Sequence, residues 1–295
     1  VNNKLQIPTF KTVDIIWTLF DKYLELGGDV LFDTEVKNIL VDNFMERGIR
    51  FPFTVGVSAG ACNGLSYMSG QRGRVKYSNI DLLEKYHYVG LKYLFTQRNI
   101  MDFKLLFEDF PERIIPYDYD AYFRCSERFA MVTTNCITGE ANYFEEKSSP
   151  KRVMEIVRAS SSLPFVSPIS YVDGIPMLDG GIADSIPIIY TRQLGFTNNF
   201  VVLTRNRGYR KEIKRQPYIK LFYGKYPKLR EAIANRNAIY NRTLDYIEEM
   251  EDKGEILVVR PVKPIEVDRI EKGADKLRRL YEEGYALASA INFVK

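Results

Sequence analysis

A serine and its four neighbours carry the clearest chemical signal in this sequence. Ser58 is the centre of Gly56-Val57-Ser58-Ala59-Gly60, between the apolar run FPFTVGVS and the small-residue run AGACNGLSYMSG. Where Gly-x-Ser-x-Gly turns a strand into a helix, the serine is strained and the glycines permit close backbone approach. The helix N-terminus can then stabilise negative charge on an attacked carbonyl. The motif alone is common, but here the strand and the helix that it needs are both predicted.

A serine nucleophile needs a base, which is usually a histidine oriented by an acid. His87 is the single histidine of the chain and follows Ser58 closely, in the tyrosine-rich run EKYHYVG. No acid with suitable strand-end spacing lies between the two residues. A triad built on His87 is therefore the weaker alternative, and a structural role is favoured for this histidine.

A carboxylate can serve as the base when it is held against the hydroxyl in a partly desolvated site. Asp179 is the best candidate, in the run LDGGIAD, because Gly180 and Gly181 permit a loop that brings a carboxylate close to another backbone. An isolated Asp-Gly-Gly would be interpreted as a surface turn. Together with the serine motif, it favours a Ser58–Asp179 pair.

The predicted secondary structure places these residues in an α/β fold. Besides the helix after Ser58, helices are predicted at residues 10–27, 43–47 and 151–160. Besides the strand before Ser58, one or two short strands are predicted within 29–41, a hairpin at 129–134 and 141–144, and strands at 200–204 and 256–259. The alternation of strands and helices favours the α/β class.

Length and composition exclude several classes of protein. The chain has 295 residues, of which 45% are hydrophobic, enough for one large α/β core or two modest ones. It contains no apolar run of twenty residues, so no membrane anchor is expected. The three cysteines, Cys62, Cys125 and Cys136, lack metal-ligand spacing and favour a reducing compartment, hence the cytoplasm. A histidine-rich metal site is excluded, and no metal or cofactor is expected.

The net charge of +4 is distributed unevenly. Residues 205–230 contain ten Lys or Arg and one acid, Glu212, with five aromatic residues among them. Such a mixture suits an anionic membrane surface or nucleic acid. The favoured interpretation is a solvated helix pair whose aromatic side chains face the core. Peripheral contact of 205–230 with an anionic membrane is the alternative, and nucleic acid is not an expected partner.

With these motifs, the chain resembles the patatin-like phospholipases of the bacterial cytoplasmic type. The resemblance covers about residues 42–295 and includes FMERGIRFPFTVGVSAGACNGLSYMSGQRGR, IVRASSSLPFVSP and LDGGIADSIPI. It implies a three-layer α/β/α sandwich with a mainly parallel central sheet. It also implies a Ser58–Asp179 dyad that hydrolyses acyl esters of lipids through an acyl-enzyme, without histidine or metal.

One part of the family pattern is missing. A Gly-Gly-Gly-x-Arg-Gly loop, whose amides form the oxyanion hole, is expected to begin near Asp29, where this chain has DVLFDT. Gly27-Gly28 lacks the arginine and the third glycine, and is more simply a helix terminator. Ala59 would then supply a single oxyanion donor, and since loss of one donor typically costs about 10²–10³ in rate, activity could be impaired.

The first residues resemble a different family. They are similar to a segment of FAD-dependent amine-oxidase-like or phytoene-desaturase-like oxidoreductases, over the run IPTFKTVDIIWTLFDKYLELGGDVLFDTEVKNILVDN. Because no Gly-x-Gly-x-x-Gly fingerprint is present, flavin binding is not expected. The first methionine is Met45, which raises the expectation of a fragment, a fusion or a joined gene model. The predicted division is an atypical segment at 1–41, with the N-terminal strand and glycine loop replaced, and a hydrolase domain at 42–295.

Two functions are therefore expected from the sequence. The first is a cytoplasmic, serine-dependent lipid acyl hydrolase that acts on a lipid or another acyl ester, with peripheral membrane contact as an alternative location. The alternative is a catalytically impaired protein of the same family that binds lipid or membrane. The acyl chain, the head group and the oligomeric state are not indicated by the residues.

Overall fold

The computed structural model describes residues 34–90, 92–213 and 219–261 of the chain. The α-helices are α1 (Thr34–Glu46), α2 (Ala59–Met68), α3 (Arg74–Lys76), α4 (Leu82–Tyr86), α5 (Lys92–Gln97), α6 (Tyr119–Arg124), α7 (Pro150–Ser160), α8 (Ile188–Gln193), α9 (Ile219–Phe222) and α10 (Pro227–Asp252). The strands are β1 (Phe53–Val57), β2 (Arg128–Asn135), β3 (Ala141–Phe144), β4 (Ser170–Val172), β5 (Ile175–Asp179), β6 (Asn199–Val202) and β7 (Ile256–Val259). Two π-helical stretches, Tyr77–Asp81 and Leu105–Ile114, and a 3-10 turn, Gly180–Ile182, join them.

Strand β2 is the centre of a five-stranded mixed sheet. It pairs in parallel with β1, where Gly56 lies opposite Met131, and antiparallel with β3 and β5. Strand β4 pairs antiparallel with β5, and β6 and β7 form a separate parallel pair. Within the described ranges, β1 pairs with no strand other than β2, and β6 with none other than β7.

Helices cover both faces of the five-stranded sheet. Neighbouring residues of a strand point to opposite faces, and in β5 both Met177 and Leu178 are fully buried. Met177 packs in a core cluster with Leu65 of α2 and Ile156 of α7, whereas Leu178 packs in another cluster with Ile233 of α10. The fold is therefore an α/β/α sandwich, as the sequence predicts. Its parallel pairs are β1–β2 and β6–β7.

The close fit of α2 on the sheet explains its small residues. A Cβ added at Gly64 would lie 2.3 Å from a ring carbon of Phe129 on β2, a distance that no side chain can occupy. The helix can therefore approach β2 only because Gly64 has no side chain. The prediction of a helix packed closely on the sheet after Ser58 is confirmed.

Several other predicted elements are confirmed within one or two residues. The strand before Ser58 is β1, and the hairpin is formed by β2 and β3. The helix predicted at 151–160 is α7, which starts with Pro150 at its first turn. The strands predicted at 200–204 and 256–259 are β6 and β7.

Helix α1 differs from the prediction. The sequence predicts short strands within 29–41 and a helix from 43, whereas α1 is continuous from Thr34 to Glu46. Leu40 and Phe44 are both buried and lie four residues apart, about one helical turn. This helical spacing is obscured in the sequence by the β-branched residues of the same run, which favour a strand. The strand prediction is therefore wrong for residues 34–41. Residues 29–33 of that prediction, and the helix predicted at 10–27, lie outside the described residues. The division at 41 stays a prediction, although α1 runs through that boundary.

None of the helices in the described ranges is long and apolar enough to cross a membrane.

Candidate active site

Ser58 occupies a strained turn between β1 and α2. Its backbone angles are φ 54° and ψ −119°, in the region that favours glycine, and it is the N-cap of α2. Its carbonyl accepts the N–H of Ala61 at 2.9 Å, which starts the helix within one residue of the strand end. A Cβ at Gly56 would lie 2.4 Å from the carbonyl oxygen of Gly60. The sharp turn therefore requires Gly56, as the motif predicts.

Asp179 ends β5 on the neighbouring part of the sheet. It lies opposite Thr133 of β2, and its side chain is almost fully buried. Its Oδ1 accepts the N–H of Gly181 at 2.7 Å, and its carbonyl accepts the hydroxyl of Thr134 at 2.8 Å. A Cβ at Gly180 would lie 2.4 Å from the carbonyl oxygen of Val132, so the loop passes β2 too closely for any other residue.

A run of three serines at the end of α7, Ser160 to Ser162, connects the two turns. The Oγ of Ser160 accepts the backbone N–H of Ser58 at 2.9 Å. The carbonyl of Ser162 accepts the backbone N–H of Asp179 at 2.9 Å. Both serines are completely buried. Because one short segment forms hydrogen bonds to both turns, it fixes their separation, a role that no motif in the sequence predicts. Three buried serines directly after an amphipathic helix are the signal that could have indicated it.

Ser58 and Asp179 line the same cavity. Its volume is about 340 Å³, and its wall at this end includes Ala59, Gly60 and Gly181. Val57 also lines the cavity, whereas Gly56 and Gly180 are not among its lining residues and instead permit the two turns. The structure therefore brings together the two residues that the sequence singles out as nucleophile and base, although they are distant in the chain.

A buried cation lies beside the Asp179 turn. Arg236 of α10 is 7% exposed and donates its Nε–H to the carbonyl of Gly181 at 2.7 Å. The Oγ of Ser185 donates to the same carbonyl at 2.6 Å. A Cβ added at Gly181 would lie 3.0 Å from the Oδ1 of Asp179 and 3.5 Å from the Nη2 of Arg236. The two charged groups are thus within about 6.5 Å of each other, where an Arg favours an ionised carboxylate.

Cys62 is the other nucleophilic side chain near this site. Burial raises the pKa of its thiol to about 11, and the negative charge of Asp179 adds to the rise. Its Sγ lies 3.8 Å from the Oγ of Ser161. A thiol must ionise to act as a nucleophile, so the raised pKa of Cys62 favours Ser58 as the nucleophile of this site.

His87 lies away from this cavity. It is exposed at the end of α4, in a left-handed backbone conformation with φ 47°. Its N–H donates to the carbonyl of Leu83 at 2.9 Å, which closes the helix. It does not line the cavity that contains Ser58, in agreement with the favoured structural role. In the described part of the chain, no group of three or more His, Cys, Asp or Glu side chains is arranged to hold a metal ion.

Part of the basic stretch 205–230 is neutralised within the protein. Arg207 forms an ion pair with Asp252 at 2.7 Å, and Arg210 forms one with Asp245 at 2.6 Å, both on α10. Lys211 is buried, with its ammonium 4.0 Å from the ring centre of Tyr240. The charges at 205–211 therefore attach this segment to α10. No helix is present at residues 205–213, so the predicted helix pair is wrong for this part of the stretch.

Family models match two parts of the chain. The model of the patatin-like phospholipases matches residues 43–192, just over half of the 295 residues, and includes Ser58, Asp179 and the serine run. The model of a domain of unknown function (DUF6363) matches residues 226–291, which include α10 with Arg236. The candidate cavity is lined mainly by the first matched region, and also by residues 196 and 198–204 between the two matches and by Tyr240 of the second. By the extent of the first match, the chain belongs to the patatin-like phospholipase family.

Proposed function

We propose that this protein hydrolyses a carboxylic ester of a lipid, with Ser58 as the nucleophile and Asp179 as the general base. The observation that carries the proposal is that both residues line one cavity while buried serines bond to the backbone of both turns. Membership of a lipid-hydrolase family supports the substrate class. A buried carboxylate fixed on one oxygen by the Gly181 N–H suits a base that must be oriented before reaction.

The reaction follows from the chemistry of the two side chains. The Ser58 Oγ forms a bond to the ester carbonyl carbon as its proton passes to Asp179. Collapse of the tetrahedral intermediate breaks the bond to the alcohol, which leaves with that proton. A water molecule then gives its proton to Asp179 and its oxygen to the acyl carbon. Release of the carboxylic acid returns the proton to Ser58.

The negative oxygen of the intermediate would lie at the N-terminus of α2. Ala59 is the first residue of this helix, and N–H groups in a first helical turn have no helical partner. The helix dipole adds a favourable field at this end. Ala59 supplies one oxyanion donor in this proposal, which predicts a slow hydrolase, because a single missing donor costs about 10²–10³ in rate.

A fluorophosphonate probe tests the proposal directly. The probe should label Ser58 in the full chain, the variant Ser58→Ala should not be labelled, and Asp179→Asn should be labelled more slowly. Ser126→Ala, at an exposed serine, is the matched control and should be labelled like the unaltered protein. Absence of labelling in a protein whose circular dichroism and thermal transition show a folded state would contradict the proposal.

A second candidate function, membrane binding without turnover, has one observation in its favour. Helix α9 exposes Leu221 to 81% and Phe222 to 41%, between the exposed Lys220 and Lys225. Apolar side chains flanked by cations suit an anionic lipid surface. Sedimentation with anionic vesicles should be weakened by Leu221→Asp and by salt, and equal binding to neutral vesicles would remove the basis for this function.

A further inference from the structure

The cavity that contains Ser58 has an apolar wall contributed by a separate hydrophobic core. Met101 and Leu163 both line the cavity. Their side chains are almost fully buried and belong to a core cluster formed mainly by residues between 80 and 110. Among the described members of that cluster, these two alone line the cavity. We call this surface the Met101–Leu163 wall.

The chain places this wall next to the nucleophile and the base. Leu163 directly follows the serine run, which forms hydrogen bonds to the turns of Ser58 and Asp179. Cys62, four residues after Ser58 and therefore about one helical turn along α2, has its Sγ 3.8 Å from the Oγ of Ser161. Ser161 itself lines the cavity. The Met101–Leu163 wall therefore begins at the reacting centre.

Hydrogen bonds join the backbone around Met101 to the chain that follows the serine run. The N–H of Ile100 donates to the carbonyl of Val166 at 3.2 Å. The Oδ1 of Asn99, which is completely buried, accepts the N–H of Met101 at 3.1 Å and the hydroxyl of Ser167 at 3.2 Å. Since these bonds fix the backbone at Met101, its side chain is the part of the wall that can adjust.

The chemistry of the wall discriminates between the two sides of an ester. The alcohol side of a phospholipid or glyceride carries polar groups, and it is unfavourable to bury such groups against apolar side chains without hydrogen-bond partners. An acyl chain has no polar group beyond its carbonyl, and it gains free energy when it leaves water. In the proposed reaction the acyl group also stays on Ser58 while the alcohol departs. A buried apolar wall beside Ser58 therefore suits the acyl chain.

On the basis of the proposed hydrolase function, we propose that the Met101–Leu163 wall binds the acyl chain of the substrate and that Met101 limits its length. Behind Met101 the same cluster contains Phe103 and Phe110, which are fully or almost fully buried. A chain that reaches Met101 therefore meets a filled core and can extend only by displacing this side chain. Met101 is thus a specificity-determining residue, and the flexibility of methionine makes the limit gradual.

The dependence of kcat/KM on acyl length tests the proposal with a series of aryl esters. Met101→Ala removes about three heavy atoms, so the preferred chain should lengthen by about two or three carbons. Met101→Phe fills more space and should shorten it. For the first ester that is too long for the unaltered protein, Met101→Ala should raise kcat/KM about tenfold.

Met154→Ala is the matched control, because Met154 of α7 is partly buried and does not line the cavity. It removes the same atoms and should leave the preferred length unchanged. Should Met101→Ala fail to fold, Met101→Val opens less space, and the preferred length should still change in opposite directions in Met101→Val and Met101→Phe. A general loss of stability would lower turnover of all esters together and would not produce opposite changes.

Binding of fatty acids to Ser58→Ala, measured by calorimetry, separates this proposal from the hydrolase proposal. Addition of Met101→Ala to that variant should raise the affinity for the longer acids about tenfold, and addition of Met101→Phe should lower it. The same chain-length preference in all variants, or no binding of any fatty acid, would overturn the role of Met101. Length-dependent binding without ester turnover in the unaltered protein would contradict only the hydrolase proposal.

Discussion

The turns at Ser58 and Asp179 are positioned by different means. Ser58 has a left-handed φ and depends on a close backbone contact at Gly56. Asp179 has an ordinary φ of −48° and is held by hydrogen bonds from Thr134 and Gly181 and to Ser162. Both turns need a glycine in close backbone contact, at Gly56 and at Gly180, but the Ser58 turn also holds a non-glycine residue at positive φ, whereas the Asp179 turn adds a polar network. Loss of space at Gly56 should therefore affect the first turn most, and loss of polar partners the second.

The largest effect is expected when the steric constraint at Ser58 is violated. In Gly56→Ala the new Cβ would meet the carbonyl of Gly60 at 2.4 Å. Because β1 and α2 must move apart, the free energy of unfolding should fall by about 1–3 kcal/mol. The rate of probe labelling should fall about 100-fold, because Ser58 is displaced. Thermal unfolding and labelling rates measure the two changes.

Gly90→Ala is the matched control for this substitution, because a Cβ at Gly90 meets nothing within 4 Å. Its thermal transition and labelling rate should resemble those of the unaltered protein. If Gly56→Ala behaves like this control, close packing does not position Ser58, and the contrast between the two turns fails.

A smaller effect is expected when the charge beside Asp179 is removed. In Arg236→Gln the carboxylate loses a cation within about 6.5 Å. Ionisation of Asp179 then becomes less favourable, so the acidic limb of the pH–rate profile should move to higher pH, and ester turnover below neutral pH should fall about tenfold. The profile of kcat/KM for a short-chain aryl ester measures this shift.

Two variants separate the charge of Arg236 from its packing. Arg236→Lys keeps the positive charge, so its pH–rate profile should be close to that of the unaltered protein. Arg242→Gln changes an exposed position of the same helix and should leave the pH–rate profile unchanged. A loss of turnover in Arg236→Gln that is equal at every pH would show that Arg236 acts only through the backbone of Gly181.

The smallest effect is expected in the serine run that joins the turns. Ser160→Ala removes the acceptor of the Ser58 N–H, and a buried donor without a partner costs about 1–3 kcal/mol. Because steric packing still holds Ser58, labelling should slow by only about threefold. Denaturant unfolding and labelling rates check both numbers.

Ser162→Ala provides the comparison on the Asp179 side. Ser162 bonds to Asp179 through its backbone carbonyl, which the substitution retains. Labelling should therefore be unchanged, with only the stability lost from the hydrogen bonds of its Oγ to Arg158 and Ser170. A larger loss of labelling in Ser162→Ala than in Ser160→Ala would contradict the assignment of roles along this run.

The sequence by itself determined the fold class, the Ser58 turn and the candidate base. Gly56 and Gly180, next to these two turns, each permit a backbone approach that any Cβ would block, and both belong to the motifs that the sequence displays. The strand before Ser58, the β2–β3 hairpin and α7 follow from local periodicity and turn residues. The presence of a single histidine, His87, also favours a carboxylate as the base on the sequence alone.

Only the tertiary structure decided which distant residues support these turns. The pairing of Ser58 with Ser160, and of Gly181 with Arg236, depends on the packing of α7 and α10 against the sheet, which no local pattern encodes. The helical state of residues 34–41 was settled in the same way, by burial of Leu40 and Phe44. Long-range packing outweighs local propensity because buried area and satisfied hydrogen bonds contribute more free energy than the preferences of single residues.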